Sequence, residues 1–336
     1  MKKYLLPEKG NFYKANLHSH STVSDGRKTP EELKRLYREA GYSILAYTDH
    51  HVQVAHGELT DESFLPLIGY ELSVNEYPKD PFRGGVCHIC FIALDPAHIL
   101  QESHYPNQYE KKNEGALHYD QSRSPIDRTY TPEAISAIMK RGREDGYFVS
   151  YNHPTWSRES YPQYCNYHGM NALEIMNHSC MTDGYNEINE RVYDEILRAG
   201  KRVYCVASDD NHNAYPRDSR RWDSFGAFTV IKAECLEYGA VAEALLAGNF
   251  YASQAPEIYE LWFEDGTLHI SCSPADTVRL TCGKKRTQVC YAENGILLTQ
   301  ADFEISPDDR YVRITVLDEN GKAAFTNAYF TDELFS

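Results

Sequence analysis

The sequence has little positive charge and no long apolar run, and both shortages exclude classes of function. Lysine and arginine total 34 against 49 aspartates and glutamates, which gives a net charge of -15 at pH 7 and a pI near 5.4. A chain with this much negative charge is poorly suited to bind phosphate backbones or anionic lipid by charge. We therefore expect neither long nucleic acid nor a membrane as partner. No run of about 18 apolar residues could span a bilayer, and no apolar core of a signal peptide follows the first lysines.

The sequence also lacks the cysteine pattern of a disulfide framework, because its nine cysteines are scattered and odd in number. Without an export signal, we expect reduced, mostly buried cysteines and a cytoplasmic protein. Cys87 and Cys90 have the spacing of a redox pair, but they lie in a strand pattern. Thioredoxin-like chemistry needs a helix N-terminus, so the pattern favours two buried thiols. The composition leaves the oligomeric state open.

Short apolar strands alternate with helices over most of the chain. The helix that starts at Thr29 has a capping box, with Pro30 at its first position and Glu32 three residues after the cap. Alternation of this kind predicts an α/β fold with a parallel barrel or sheet. The seven predicted strands are 13–20, 43–47, 65–68, 86–94, 147–151, 172–176 and 203–207.

Two segments depart from this alternation. Residues 95–130 form a polar insertion without periodicity, and loops of this length are usually functional lids or mobile segments. After residue 255 only short alternating strands separated by turn signals follow, which predicts a small β-sandwich. We therefore expect two domains, an α/β barrel over 1–255 and a sandwich over 256–336. The predicted sandwich strands are 258–263, 268–272, 278–282, 288–291, 311–317 and 323–330.

The segment from Asn16 to Gly26 contains a His-x-His pair followed by an acidic turn. Side chains alternate along a strand, so His18 and His20 point to the same side. Two imidazoles on one face, with the carboxylate of Asp25 in the following turn, can chelate a metal ion. A solvated or hydrogen-bonded histidine pair is the alternative interpretation of this segment alone.

Residues of the same chemical kind occur at the ends of the later predicted strands. In a barrel, side chains at the C-terminal strand ends converge on one mouth. That geometry would bring together residues that lie far apart in sequence, namely His18, His20, Asp49, His50, Glu71, His153, Asp210 and His212.

These motifs together resemble those of the PHP (polymerase and histidinol phosphatase) superfamily. His18-x-His20 with Ser24-Asp25-Gly26, Thr48-Asp49-His50-His51, His153-Pro154 and Asp210-Asn211-His212 occur in the family's order over roughly residues 12–255. The resemblance implies a distorted (β/α)7 TIM-like barrel. It also implies two or three divalent metal ions at the barrel mouth and hydrolysis of phosphate esters.

Carried over to this sequence, the resemblance implies three groups of metal ligands. The implied groups are His18, His20, Glu71 and Asp210 for one ion, Glu71, His88 and His153 for a second, and Asp25, His50 and His212 for a third. Asp25 stands where some members have a histidine. Asp209 is an alternative to Asp210, although only Asp210 has the Asp-x-His spacing, and Asp49 is expected to orient a ligand. Zn, Mn and Fe all suit such a mixed set.

Bound phosphoryl oxygens need hydrogen-bond donors, and the leaving oxygen needs a proton. Arg158 is the first candidate donor, with Arg217, Arg220 and Arg221 as alternatives. His178 is a candidate acid, and a structural role is its alternative.

We therefore expect a hydrolase that cleaves phosphate esters of a small phosphorylated molecule by a metal-activated hydroxide. One alternative is a phosphodiesterase or exonuclease on short nucleotides. Another alternative is a non-catalytic binding module, in which the metal ions only stabilise the fold.

Overall fold

The structure is a computed structural model and describes residues 2–80, 83–102 and 104–336. Its strands are β1 (Lys3–Tyr4), β2 (Asn11–Asn16), β3 (Ile44–Tyr47), β4 (Leu65–Asn75), β5 (Val86–Ala93), β6 (Tyr147–Asn152), β7 (Ala172–Asn177), β8 (Tyr204–Ser208), β9 (Phe228–Ala233), β10 (Phe250–Ser253), β11 (Ile258–Glu264), β12 (Thr267–Ala275), β13 (Thr277–Cys282), β14 (Gln288–Tyr291), β15 (Leu298–Glu304), β16 (Tyr311–Leu317), β17 (Ala323–Thr326) and β18 (Tyr329–Phe330). Its α-helices are α1 (Pro30–Glu39), α2 (Glu110–Asn113), α3 (Pro132–Glu144), α4 (Tyr161–Tyr164), α5 (His178–Thr182), α6 (Glu190–Arg198), α7 (Tyr238–Ala247) and α8 (Thr331–Leu334).

Most strands belong to one large twisted sheet. Its order is β14-β13-β16-β17-β10-β9-β2-β3-β4-β5-β6-β7-β8, with β18 beside β16. Strand pairing among the described residues does not close this sheet, although a parallel bridge joins Ser19 to Asn211 just beyond β2 and β8. The mixed α/β class predicted from the sequence is therefore confirmed, whereas a closed (β/α)7 barrel is not formed by the ladders.

The all-parallel arrangement expected from the sequence is wrong at β5. This strand pairs antiparallel with β4 and with β6, while β2, β3 and β4 are parallel to one another. The β4–β5 connection spans only residues 76–85, with no helix among its described residues. A parallel crossover needs about a dozen residues or more. Because this link is shorter, β5 can only pair antiparallel with β4.

A smaller sheet, β1-β11-β12-β15, packs against the C-terminal strands of the large sheet. Inward residues such as Leu261 and Ile270 share a buried core with Leu280 and Ile314 of the large sheet. The large sheet continues from β17 directly into β10, so a division of the chain at residue 255 stays a prediction. Strand β15 was not predicted, because only Ala301 and Phe303 of its residues are buried.

Local sequence signals set several helix starts. Thr29 caps α1 and forms the predicted capping box with Glu32. Thr131 accepts a hydrogen bond from the backbone N–H of Ala134 and so caps α3.

No α-helix within the described ranges has both the length and the apolar character to span a membrane. All nine cysteines are unpaired, and seven of them are buried.

A buried arginine joins α6 to the C-terminal strands. Arg313 of β16 is 1% exposed and donates two hydrogen bonds to Asp194, from Nε at 2.9 Å and from Nη2 at 2.8 Å. Its Nη1 donates to Glu190 at 3.0 Å. Such a pair contributes little net stability compared with apolar packing, but removal of one partner leaves buried charge unpaired.

We expect Arg313→Met to lower the free energy of unfolding by about 3 kcal/mol, because Asp194 loses its partner in a site of low exposure. The matched control is Arg202→Met, since Arg202 pairs with Asp332 and Glu333 at the surface. That variant should cost less than about 1 kcal/mol. Urea unfolding followed by circular dichroism measures both, and equal losses would contradict the assigned role.

Candidate metal centre

The predicted ligands come together at one edge of the large sheet. Most of them lie just beyond a strand end, where parallel neighbours direct the chain to a common side. The placement is His18 and His20 after β2, Asp25 in the next turn, His50 after β3, Glu71 within β4, His88 within β5, His153 after β6, and Asp210 and His212 after β8.

The turn that carries Asp25 is held by Asp49, the residue that the sequence predicts to orient a ligand. The Asp49 carboxylate accepts hydrogen bonds from the backbone N–H groups of Ser21, at 2.8 Å, and Ser24, at 2.9 Å. Gly26 then passes so close to His20 that an added Cβ would lie 2.2 Å from its carbonyl oxygen. A glycine is therefore required where the turn returns to the cluster.

Glu71 is the centre of the cluster. Its Oε1 lies 2.8 Å from Nδ1 of His88, 3.2 Å from Nε2 of His18 and 3.3 Å from Nε2 of His153. Its Oε2 lies 2.8 Å from Nδ1 of His50. One fully buried carboxylate therefore contacts four imidazoles from four different segments of the chain.

Asp210 provides a second carboxylate beside the His-x-His pair. Its Oδ1 lies 2.9 Å from Nε2 of His20 and 3.1 Å from Nε2 of His18. The two imidazole nitrogens are themselves 3.2 Å apart. The alternative residue, Asp209, turns away and accepts hydrogen bonds from the backbone N–H groups of Phe225 and Gly226. Asp210, and not Asp209, belongs to the cluster.

A third group lies at the outer rim. Asp25 is 3.7 Å from Nε2 of His50 and 3.6 Å from Nε2 of His212, measured from its two oxygens. The ring of His20 packs on both of these histidines, with centroids 4.2 and 4.3 Å away. Three sets made up only of predicted ligands have donor atoms close enough to hold one ion each: His18, His20 and Asp210; Glu71, His88 and His153; and His20, Asp25, His50 and His212. Two further sets of the described residues include a residue that was not predicted: His18, Glu71 and Cys90; and His18, His153 and Glu174.

The charges in the cluster are strongly coupled. Burial would raise the pKa of Glu71, but His88, His18 and His50 hold it well below its usual range. Burial would lower the pKa of His153, yet the hydrogen bond to Glu71 and the charge of Asp210 raise it to about 9. The carboxylates therefore remain ionised, which is the state in which they bind cations.

Several of these imidazoles are held by a partner on the side away from the cluster. Ser73 Oγ lies 2.9 Å from Nε2 of His88, and Ser157 Oγ lies 3.1 Å from Nδ1 of His153. Nδ1 of His212 lies 2.9 Å from the backbone carbonyl oxygen of Asp210, to which it donates. Such outer contacts select the tautomer and direct the other ring nitrogen toward the centre.

Glu174 is a functional candidate that no motif identified. It is 1% exposed, its Oε1 lies 3.1 Å from Nδ1 of His18, and its Oε2 accepts the backbone N–H of His153 at 3.2 Å. Asn177 joins it to Asp210, because its Nδ2 donates to Glu174 at 2.9 Å and to Asp210 at 3.1 Å. A lone carboxylate inside the apolar strand β7 was the available signal. Cys90, a buried thiol near His18, was missed as a donor in the same way.

Two of the predicted ligands, like seven other non-glycine residues in the described part of the chain, have a positive φ. His153 has a φ of 29° and Asp210 a φ of 54°, both in the left-handed region that residues with a Cβ rarely adopt. Such strain persists only where surrounding contacts enforce it, and it clusters at functional sites.

A cavity of about 500 Å³ opens above the cluster. Its lining residues include Arg27 and Arg221, and Arg221 pairs with Asp183. The predicted phosphate donor Arg158 lies elsewhere, exposed and outside the wall. The predicted acid His178 packs its ring against Gly226 and does not line this cavity either.

No protein-family model and no curated protein matches the chain. Among solved structures, a two-domain protein from Bacteroides vulgatus ATCC 8482, described as containing a "predicted PHP-like metal-dependent phosphoesterase", is 12% identical with a TM-score of 0.45 and covers 97% of this chain and 98% of its own. A protein from Bifidobacterium adolescentis ATCC 15703, described as a candidate metal-dependent phosphoesterase, is 16% identical with a TM-score of 0.39 and covers 64% and 91%.

An amidohydrolase from Chromobacterium violaceum is 16% identical with a TM-score of 0.33, covering 59% of this chain and 87% of its own. The family in the first description is the one that the sequence motifs resemble.

We expect Glu174→Gln to weaken divalent-metal binding by roughly 10- to 100-fold, the usual effect of losing an outer carboxylate. The amide keeps the shape of the side chain but removes the charge that faces His18. Titration of metal-free protein with Zn²⁺ or Mn²⁺ by calorimetry measures the change. Glu133→Gln, on the exposed face of α3, is the matched control, and equal affinities for the two variants would contradict the role of Glu174.

A partly buried carboxyl, that of Glu159, follows the turn that carries His153. Glu159 accepts hydrogen bonds from the hydroxyls of Tyr130, at 3.0 Å, Tyr151, at 2.5 Å, and Tyr167. Burial outweighs these donors and raises the pKa of Glu159 to about 7.

This raised pKa predicts a pH-dependent stability. The folded protein binds the Glu159 proton more tightly than the unfolded chain does, so its contribution is complete below about pH 4.5 and is lost as the pH rises through 7. We expect Glu159→Gln to remove that part of the decline in the free energy of unfolding between pH 4.5 and 7, measured by urea unfolding of metal-free protein. An unchanged pH profile in the variant would rule out this assignment.

Proposed function

We propose that the chain is a metal-dependent hydrolase that cleaves phosphate monoesters of small molecules. The observation that carries this proposal is the single cluster formed by Glu71 and Asp210 with six histidines beneath an open cavity. Two or three divalent ions of the Zn, Mn or Fe type are its proposed cofactors, and a small phosphorylated molecule is its proposed substrate.

The buried polar atoms of this chain themselves support a fit to divalent cations, without reference to any similar protein. Glu71 Oε2, Asp210 Oδ1 and His50 Nδ1 are buried, and in the described part of the chain none has a well-aligned hydrogen-bond partner. They nevertheless face one another or neighbouring imidazoles at 2.8 to 3.1 Å. Donors bound to one cation at about 2.1 Å lie about 3.0–3.4 Å apart. Nε2 of His18 lies 3.1 Å from Asp210 and 3.2 Å from Glu71, and Nε2 of His153 lies 3.3 Å from Glu71, so these three separations fall within that range.

Bound divalent ions would supply a water-derived nucleophile at neutral pH and would polarise the phosphoryl oxygens. The protein's own residues hold and orient the donors: Glu71 joins the three groups, and Glu174 and Ser157 fix two of the imidazoles. Trp156 packs its ring beside His88 and His153, with centroids 5.5 and 5.1 Å away, and so limits water on that side. These contacts favour a rigid site that needs little reorganisation during the reaction.

Two arginines of the cavity wall are placed to bind the oxygens of the phosphate. Arg221 packs its guanidinium over the ring of Tyr215 at 4.2 Å and is paired with Asp183, so its position is defined before substrate arrives. Arg27 lies two residues after Asp25 and borders the same cavity. We assign these two residues the role that the sequence suggested for Arg158, since a guanidinium binds phosphate through directed N–H groups.

Among the described residues only two arginines border the cavity, and this small, local positive charge favours a small substrate over a polymer. With a net charge of -15, the chain is poorly suited to bind a long nucleic-acid backbone. Short nucleotides and diesters remain outcomes of the test below, as does a module that binds metal without turnover.

We expect His20→Ala to lose both bound metal and monoester hydrolysis while it keeps the fold, because His20 contributes to two of the three donor groups. Elemental analysis measures the metal, and release of aryl alcohol from 4-nitrophenyl phosphate measures the rate. Circular dichroism checks the fold. The matched control is His269→Ala, because His269 lies on β12 and pairs with Asp302 far from the cluster.

Hydrolysis of bis(4-nitrophenyl) phosphate in preference to the monoester would replace this proposal by a phosphodiesterase. Full metal content without turnover of any phosphoester would favour the non-catalytic module. Unchanged metal content and rate in His20→Ala would overturn the site assignment itself.

A further inference from the structure

A second cavity adjoins the first at the predicted ligands. It has a volume of about 460 Å³, and it shares with the arginine-lined cavity the side chains of Asp25, His50, His88 and Trp156. The two cavities therefore meet at these side chains, and the rest of their walls differ in character. A phosphoester bound at the cluster can extend into this second space, which we call the aromatic cavity.

One wall of the aromatic cavity comes from the insertion, in the segment 104–113. Tyr105 packs against Arg128, whose guanidinium carbon lies 3.3 Å from the ring centroid, and against the ring of His51 at 5.7 Å. The ring of Tyr109 lies parallel to that of His50, with centroids 6.4 Å apart. Two tyrosine rings thus border the space directly above the proposed ligands.

Side-chain contacts hold this wall in place at both ends. Asn107 donates to the carbonyl of Tyr105 at 2.9 Å and accepts the N–H of Tyr109 at 2.9 Å. Asn113 donates to the carbonyl of Val23 at 2.8 Å, and Lys112 donates to that of Thr22 at 2.8 Å, in the turn that carries Asp25. The segment is therefore tied to the metal site, and its rings can act as a preformed surface.

Charge distinguishes the two cavities. Arg27 and Arg221 border the first, whereas the described residues that line the aromatic cavity include neither lysine nor arginine. A guanidinium beside this lining, that of Arg128, is stacked on the ring of Tyr105 and approaches Ser73 and His51. Trp156 lines both cavities and adds a third aromatic ring to the aromatic one. A phosphoryl group suits the first space, and a neutral flat group suits the second, since aromatic walls favour stacking with rings.

We propose that the aromatic cavity is a subsite for an uncharged planar ring on the alcohol side of the phosphate ester, with Tyr105 as its specificity-determining residue. The inference rests on the proposed function and adds the chemical class of the leaving group. Stacking on such a surface typically changes affinity by tenfold or more.

The test compares benzyl phosphate with n-propyl phosphate, two esters of primary alcohols with similar leaving groups. We expect metal-loaded protein to show a kcat/KM about tenfold higher for the benzyl ester. Tyr105→Ala should reduce the ratio to near one, and Tyr105→Phe should restore it because the ring is retained. Tyr291→Ala removes an exposed tyrosine of β14 and should leave the ratio unchanged.

Binding of benzylphosphonate and propylphosphonate, measured by calorimetry, separates failure of the subsite from failure of the proposed function. Hydrolysis of both esters with equal kcat/KM would overturn the subsite and leave the hydrolase intact. Tighter binding of benzylphosphonate that depends on Tyr105, without hydrolysis of either ester, would support the subsite and overturn the hydrolase. Equal binding of the two phosphonates would overturn the subsite.

Discussion

The placement of the Glu71 carboxylate is the constraint on which the rest of the site depends. A fully buried carboxylate is costly unless positive charge or hydrogen-bond donors compensate it. Here four imidazoles approach it, and each comes from a different strand or strand end. The position of β4 in the middle of the sheet therefore organises the neighbouring strands around one charge, and the pKa of Glu71 is held low by the imidazoles around it.

Function in this arrangement depends on asymmetry around that charge. Outer partners such as Ser73, Ser157 and Glu174 occupy one nitrogen of their histidines and leave the other for the centre. Beyond the centre, arginines border one cavity and tyrosines border the other. The proposed phosphomonoesterase and its proposed ring subsite follow from this division, because a phosphate ester has an anionic end and an end whose chemistry varies.

Much of the fold could be predicted from local pattern, and the failures have physical reasons. Capping at Thr29 and Thr131 and the apolar strands depend on neighbouring residues, so they were visible in the sequence. The direction of β5 depends on the length of a connection, and β15 has too few buried residues for a periodic signal. The ion pair between Arg313 and Asp194 joins residues 119 positions apart, and no sequence pattern of one chain predicts such a pair.

The sequence by itself determined which chemical groups were available: a His-x-His pair, an Asp-x-His turn, and acidic or imidazole side chains at successive strand ends. The Asp-x-His spacing already favoured Asp210 over Asp209, and in the structure Asp210 faces the centre. Tertiary structure alone decided that Glu174 supports His18 and that Arg221 rather than Arg158 borders the cavity. The reason is that ligand type is a property of a residue, whereas direction depends on backbone angles and on packing between segments that are remote in sequence.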